Sequence, residues 1–275
     1  MSVELKTLQL KARYQVYTLL AGNNLSKMHG EGYDFSELRE YQIGDDVRKI
    51  NWTITAKLGR PYIKELHANR ELSIVVAAIM DGSLYFGEDR LKQDMITEIA
   101  TILGYSAHHN NDLFTGFNFY GDKHTLTPPT KQLYHIENFS KALYEQEILH
   151  TALDYTKAIQ TLSTHIHKRS LLFIIGDFLD PVDLSLLAQK HEVIAIIVRH
   201  REEEKPHKLG EVILDNPKTT QSLNTDFGTA SIQHYLSKLK AHDEYLQTHF
   251  IHYNIRHTKI YTDEDPIGKL VRLFV

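Results

Sequence analysis

Between Leu72 and Val198 the chain alternates continuous apolar runs with longer stretches whose apolar residues recur every three or four positions. The runs 72–80, 113–120, 171–176 and 193–198 have the length of strands and are apolar on both faces, so each needs cover on two sides. The stretches between them, about 90–109, 131–146, 152–166 and 182–190, carry helical spacing. This alternation predicts an α/β fold: an open, mostly parallel sheet with helices on both faces. Further on, Glu211–Leu214 reads as a short strand, 229–250 as a long helix, Tyr253–Tyr261 as a late strand and 264–273 as a terminal helical turn.

Ahead of this pattern, Leu5, Leu8, Leu10, Tyr14, Val16, Tyr17, Leu19 and Leu20 lie at roughly helical spacing over residues 3 to about 28. They predict an amphipathic lead helix ending near Gly22 and Asn23. From Gly30 to Leu66, Gly, Asp, Arg and aromatic residues interrupt any long period, which predicts an irregular, partly β subdomain. The expected division is therefore 1–68 for the helix and irregular segment, and 69–275 for the α/β domain.

Composition narrows the function. A chain of 275 residues with 42% hydrophobic and 24% charged residues is that of a folded globular protein. Its net charge of -4 offers no overall footprint for a nucleic-acid backbone. The absence of cysteine rules out disulfides, thiolate metal sites and a cysteine nucleophile, and makes a cytoplasmic location the expectation. Met1 to Leu20 mixes Glu4, Lys6, Lys11 and Arg13 among its apolar residues, and later apolar runs are short, so neither a signal peptide nor a membrane span is expected. The 17 histidines are scattered, and the pairs His108/His109 and His165/His167 lack the companion carboxylate and spacing of a zinc site.

In open α/β sheets ligands gather outside the carboxyl ends of strands, at a topological switch point. Two such ends are acidic: Met80-Asp81-Gly82-Ser83-Leu84-Tyr85 and Asp177-Phe178-Leu179-Asp180. A strand closing in Asp-x-Ser, a threonine opening a later helix and a second strand closing in Asp resemble the metal-ion-dependent adhesion site of von Willebrand factor A domains. That resemblance makes Asp81, Ser83, Thr151 and Asp177 candidate ligands of a hard cation such as Mg²⁺. Such an ion takes carboxylate and hydroxyl oxygens plus water, and leaves one position for a partner's carboxylate. The sequence departs from the motif at Tyr85, where a second serine is usual, and lacks the glycine before Thr151. Each residue also has a purely structural reading: Asp81 and Ser83 as turn caps, Thr151 with Asp154 as a capping box, and Asp180 before Pro181 as a helix cap.

The segment Tyr33-Asp34-Phe35-Ser36-Glu37-Leu38-Arg39-Glu40-Tyr41-Gln42-Ile43-Gly44-Asp45-Asp46-Val47-Arg48-Lys49-Ile50-Asn51-Trp52 leads into Ala56-Lys57-Leu58-Gly59 and Tyr62-Ile63-Lys64-Glu65-Leu66. Together with Asp177-Phe178-Leu179-Asp180 and, loosely, Asp263-Glu264-Asp265-Pro266, it resembles the MoxR-associated domain of unknown function fifty-eight family, which places this segment before a von Willebrand factor A-like domain. The resemblance implies a chaperone-like adaptor that works beside a MoxR-type AAA+ ATPase on a client protein. Arg39, Asp45, Asp46 and Arg48 are candidate partner contacts, with pairing among themselves as the alternative. Trp52 is expected to anchor the segment, and Arg199 to Lys205 to form a solvated loop.

Binding rather than catalysis is the leading expectation. The rival is a metal-dependent hydrolase or phosphatase with Asp81 as nucleophile and Asp177 as metal ligand. It lacks a second carboxylate two residues on, a glycine-rich phosphate loop and a G-x-S-x-G motif. A scaffold with a vestigial site is the third reading.

Overall fold

The computed structural model describes residues 3–24, 33–42, 44–68 and 71–273. By their contacts they form two units: Thr18–Glu71, and the remainder, in which the chain up to Tyr17 joins Leu72 onward.

The first helix, α1 (Val3–Asn24), contributes its opening turns to the larger unit. Leu5 and Ala12 are buried, Gln9 Nε2 donates to the Glu137 carbonyl at 3.2 Å, and Lys11 pairs with Glu98 at 2.9 Å. In the smaller unit β1 (Tyr33–Glu40) pairs antiparallel with β2 (Tyr62–Ala68), and α2 (Trp52–Leu58) lies between them in sequence. Asn51 caps α2 by accepting from the Ile54 amide, and Gly59 ends it at φ +71, a left-handed turn that glycine takes without cost. No residue of α2 is buried, and Trp52 is 67% exposed. The anchoring role expected for Trp52 is therefore corrected: it stands at the first position of the helix, pointing to solvent.

The larger unit is built on a six-stranded sheet. Its elements run β3 (Ser73–Met80), α3 (Lys92–His109), β4 (Leu113–Tyr120), β5 (Lys123–Thr130), α4 (Leu133–Tyr144), α5 (Tyr155–His165), β6 (Leu171–Gly176), α6 (Ser185–Ala188) and β7 (Glu192–Arg199). They continue with α7 (Arg201–Glu204), β8 (Gly210–Asp215), β9 (Ser222–Phe227), α8 (Thr229–His252), β10 (Arg256–Tyr261) and α9 (Pro266–Arg272). The sheet order is β10-β7-β6-β3-β4-β5, parallel throughout except for β5 against β4. The expected α/β class, with a mostly parallel sheet between helices, is what forms.

Alternation assigns the two faces of each strand. Val75, Ala77 and Ile79 pack with Leu172 and Ile174 against α5, through Ala158, Ile159 and Leu162, and against α8, through Leu246 and Phe250. The other face receives α3, with α4 packed on α3. Gly116 of β4 allows this: a Cβ there would stand 2.7 Å from the Phe139 ring of α4.

Several expected boundaries shift. The helix expected over 182–190 reduces to α6, because Val182 and Leu184 are buried as loop residues before it. Two strands go unanticipated: β5 and β9 have mostly exposed side chains and show no apolar run, and β5 carries Pro128 and Pro129 at a register shift, as an edge strand tolerates. The stretch Arg199 to Lys205 is no solvated loop. Arg199 is fully buried, and the short helix α7 that follows it holds Glu203 at 8% exposure. Among the described residues no helix is long and apolar enough to cross a membrane.

Candidate functional site

The sheet reverses its order at β3. The chain leaves β3 towards β4 on one side and later returns to place β6 on the other. The carboxyl ends of these two neighbouring strands form the switch point, and each is followed directly by an aspartate.

Asp81 is 2% exposed and its Oδ1 accepts the Ser83 amide at 2.9 Å. Asp177 is 1% exposed and its Oδ1 accepts the Leu179 amide at 3.2 Å. Ser83 Oγ lies between the two carboxylates, in contact with Asp81 Oδ1 and Asp177 Oδ2. One hydroxyl proton serves one of them. The other contact sets two oxygens together and requires positive charge close by.

Two lysines supply it. Lys92, at the first position of α3, is fully buried, with Nζ 3.0 Å from Asp177 Oδ2 and 2.6 Å from Glu203 Oε1. Lys218, in the turn between β8 and β9, places Nζ 2.8 Å from Asp81 Oδ2 and 2.5 Å from Asp180 Oδ2. The ammonium donates to Asp180 Oδ2 and stands against the buried Asp81 Oδ2, which no backbone or hydroxyl donor reaches. Asp180 is thus an ion-pair partner rather than a helix cap.

Burial alone would raise the Asp177 carboxyl. The Lys92 charge, the Ser83 hydrogen bond and the Lys218 charge together outweigh it and hold Asp177 down to about 2. At Lys218 burial works against the charged form, and Asp81, Asp180 and Asp177 overcome it, leaving the ammonium above its ordinary value. Tyr155 beneath them is pushed well above the ordinary tyrosine range by burial first and by Asp177, Asp81 and Asp180 next.

Thr151 approaches the centre through its backbone. Its carbonyl accepts the Gly82 amide at 2.9 Å, while its Oγ1 donates to the Ile148 carbonyl at 2.5 Å. It does not open a helix: Asp154 caps α5, accepting from the Thr156 and Lys157 amides. The turn carrying Lys218 is clasped to the same loops. His150 donates its amide to the Pro217 carbonyl and places Nδ1 against the Thr219 carbonyl, both at 2.7 Å. Gly82 makes room, since a Cβ there would lie 1.8 Å from the Pro217 oxygen. His150 and Phe178 both take left-handed backbone, at φ +59 and +50, so the two loops flanking the acidic pair are held in costly conformations.

The oxygens of Asp81, Ser83 and Asp177 are the donor types a hard cation takes, but the charge such an ion would bring is already delivered by Lys92 and Lys218. As folded, the set does not suit a Mg²⁺ ion. Among the described residues no cluster of three or more histidine, aspartate or glutamate side chains is arranged around a common ion position.

The lysines, Glu203 and the β8–β9 turn went unread in the sequence. One signal was present. A lysine at the first position of a helix opposes the helix dipole and asks for a buried anion. Lys218, in Asn216-Pro217-Lys218-Thr219, looks like any solvated turn.

A family model described as "Protein of unknown function DUF58" matches residues 37–245, which take in both acidic strand ends and both lysines. The chain belongs to the DUF58 family. Its relatives include the uncharacterized proteins Rv1480 of Mycobacterium tuberculosis (strain ATCC 25618 / H37Rv) and Mb1516 of Mycobacterium bovis, each 27% identical over 249 residues, 85% of this chain and 78% of the relative. Among solved structures, it is similar to the conserved hypothetical protein BatB from Bacteroides thetaiotaomicron, at 10% identity over 74% of this chain and 97% of that one, with a TM-score of 0.45. It is also similar to an aerotolerance-related membrane protein from Bacteroides fragilis NCTC 9343 with multiple mutations to serines, at 10% identity over 74% and 96%, with a TM-score of 0.48.

The DUF58 match includes the charged segment singled out in the sequence. There Arg39 grips Asp45 with two hydrogen bonds of 2.8 Å, and Arg48 grips Asp46 with two of 3.0 Å. Asp45 also accepts the Gln42 amide and Asp46 the Arg48 amide, so both acids shape the turn into which they pair. The four side chains thus pair within the segment.

Proposed function

We infer that this DUF58 protein is a protein-binding adaptor, with a von Willebrand factor A-like docking face at the carboxyl ends of β3 and β6. The observation that carries the reading is the contrast at that rim. A buried, internally paired ionic centre is flanked along the chain by exposed apolar side chains: Tyr85 at 53%, Phe86 at 39% and Leu149 at 44%. Aromatic residues exposed beside a rigid polar centre are the composition of a binding hot spot. Tyr85, where the adhesion motif has a serine, then serves as a contact rather than a ligand. The family resemblance supplies the partner: a MoxR-type AAA+ ATPase acting with this chain on a client.

Catalysis gains no support from the geometry. Each carboxylate oxygen of Asp81 and Asp177 is already engaged by an amide, the Ser83 hydroxyl or a lysine, and a nucleophilic or metal-binding carboxylate needs one that is free. One observation favours a second reading, a scaffold with a vestigial site: the two lysines neutralise the acids from within the chain.

Tyr85→Ala separates these readings. Exposed as it is, the ring can be removed with the melting temperature unchanged. On the adaptor reading, affinity for the purified MoxR-type ATPase of the same organism falls by about tenfold or more, the loss of one hot-spot side chain. Unaltered affinity would leave the scaffold.

A further inference from the structure

We propose that the β8–β9 hairpin is a latch whose Lys218 fills, from within the chain, the cation position of the Asp81–Ser83–Asp177 centre. Docking of the hairpin and binding of a divalent cation are then alternatives. This rests on reading the strand ends as an adhesion-type site.

Three observations carry it. The first is how the hairpin is held. Its two strands pair only with each other, outside the six-stranded sheet, and none of their residues is buried. A two-stranded hairpin without an apolar face is marginal alone. Its firm contacts are at the tip: Lys218 on Asp81 and Asp180, Pro217 on His150, Thr219 on His150, and Pro217 against Gly82. Release therefore breaks a few polar contacts and opens no core.

The second is the charge left behind. Asp81, Asp177, Asp180 and Glu203 against Lys92 leave three uncompensated negative charges; Lys218 meets one of them, where a divalent ion would meet two. The third is the state of the donors. Asp81 Oδ2 is buried and reached by no backbone or hydroxyl donor, and Ser83 Oγ touches two carboxylate oxygens with one proton to give. In the latched state the Lys218 ammonium stands against Asp81 Oδ2, and its side chain retains 18% exposure and can withdraw.

Asp180 completes the correspondence. An adhesion site bridges its own aspartate to a partner's carboxylate through an ion; here Lys218 bridges Asp81 to Asp180 of the same chain. The latched molecule carries its own substitute for both the ion and the ligand. Exposed Ile213 and Leu223, at 69% and 63%, give a partner a hold on the hairpin arm.

The test is calorimetric titration of the purified protein with Mn²⁺ at neutral pH. Lys218→Met removes the charge at nearly constant length, and is expected to bind Mn²⁺ at least about tenfold more tightly than wild type, with the gain abolished by adding Ser83→Ala. Gly82→Ala attacks the latch from the other side by displacing Pro217. It is expected to speed amide exchange over 210–227 while the central strands keep their protection, which shows the fold intact. Lys218→Met that binds Mn²⁺ no better than wild type, or Gly82→Ala with an unchanged hairpin, overturns the latch. If the latch fails while Tyr85→Ala still loses the ATPase, the docking face stands without it. If Lys218→Met gains Mn²⁺ while Tyr85→Ala binds normally, the latch stands and the docking face falls.

Discussion

Lys92 has no route to water, yet it begins a helix, where the dipole disfavours a cation. It is tolerated because Asp177 and Glu203 lie on either side of it, and the same pairing makes acid sensitivity calculable. Asp177 is held at about 2 against an ordinary 3.8. A depressed carboxyl stabilises the fold fully above its ordinary value, and that contribution is lost as pH falls through the folded one. The window is therefore about pH 4 down to pH 2, and the stake is on the order of 2 kcal/mol. Lys218 is raised, so its contribution is full below an ordinary 10.5 and is lost as pH climbs beyond it. In urea titrations, Asp177→Asn should be less stable at neutral pH and show a shallower decline between pH 4 and pH 2 than wild type. An identical slope in the two proteins would assign the acid sensitivity to other carboxyls.

At this scale the sequence was half legible. Asp81 and Asp177 were readable because strand ends in such sheets are where function collects. Their partners were not, because Lys92 stands 85 residues from Asp177 and Lys218 38 residues from Asp180, and pairing across a fold is invisible until the fold exists. Arg39, Asp45, Asp46 and Arg48 pair locally, and that alternative was open from their spacing.

At the scale of elements, legibility followed burial. β3, β4, β6 and β7 announce themselves as apolar runs since both faces are covered, while β5 and β9 are written in polar residues that could equally be loop. Close approaches are likewise hidden. Gly116 reads as a weak strand residue, but it is the point where Phe139 of α4 rests on β4. Gly116→Val should force that ring away and lower stability by about 1–3 kcal/mol, the usual cost of overfilling a packed interface. A urea midpoint within error of wild type would mean that α4 shifts freely.

For the whole molecule, two contact units and a hairpin held by its tip predict a gradient of local stability. In native-state hydrogen exchange the amides of β3, β6 and β7 should open only with global unfolding, whereas those of β8 and β9 open at much lower free energy. Uniform protection across the larger unit would contradict this description of the hairpin. The α/β class was visible from the alternation of runs and helices alone. The division of α1 was not, because its helical period says that it packs and not on which unit.

The sheet also ends asymmetrically. β5 closes one side, and Pro128 and Pro129 leave two consecutive positions there without an amide proton. An extended strand from another molecule arriving at that border finds a gap in the ladder where it would need to grip. Crowded together, copies of this chain are thus discouraged from polymerising edge to edge along β5, a safeguard written in two residues that contribute nothing to the core.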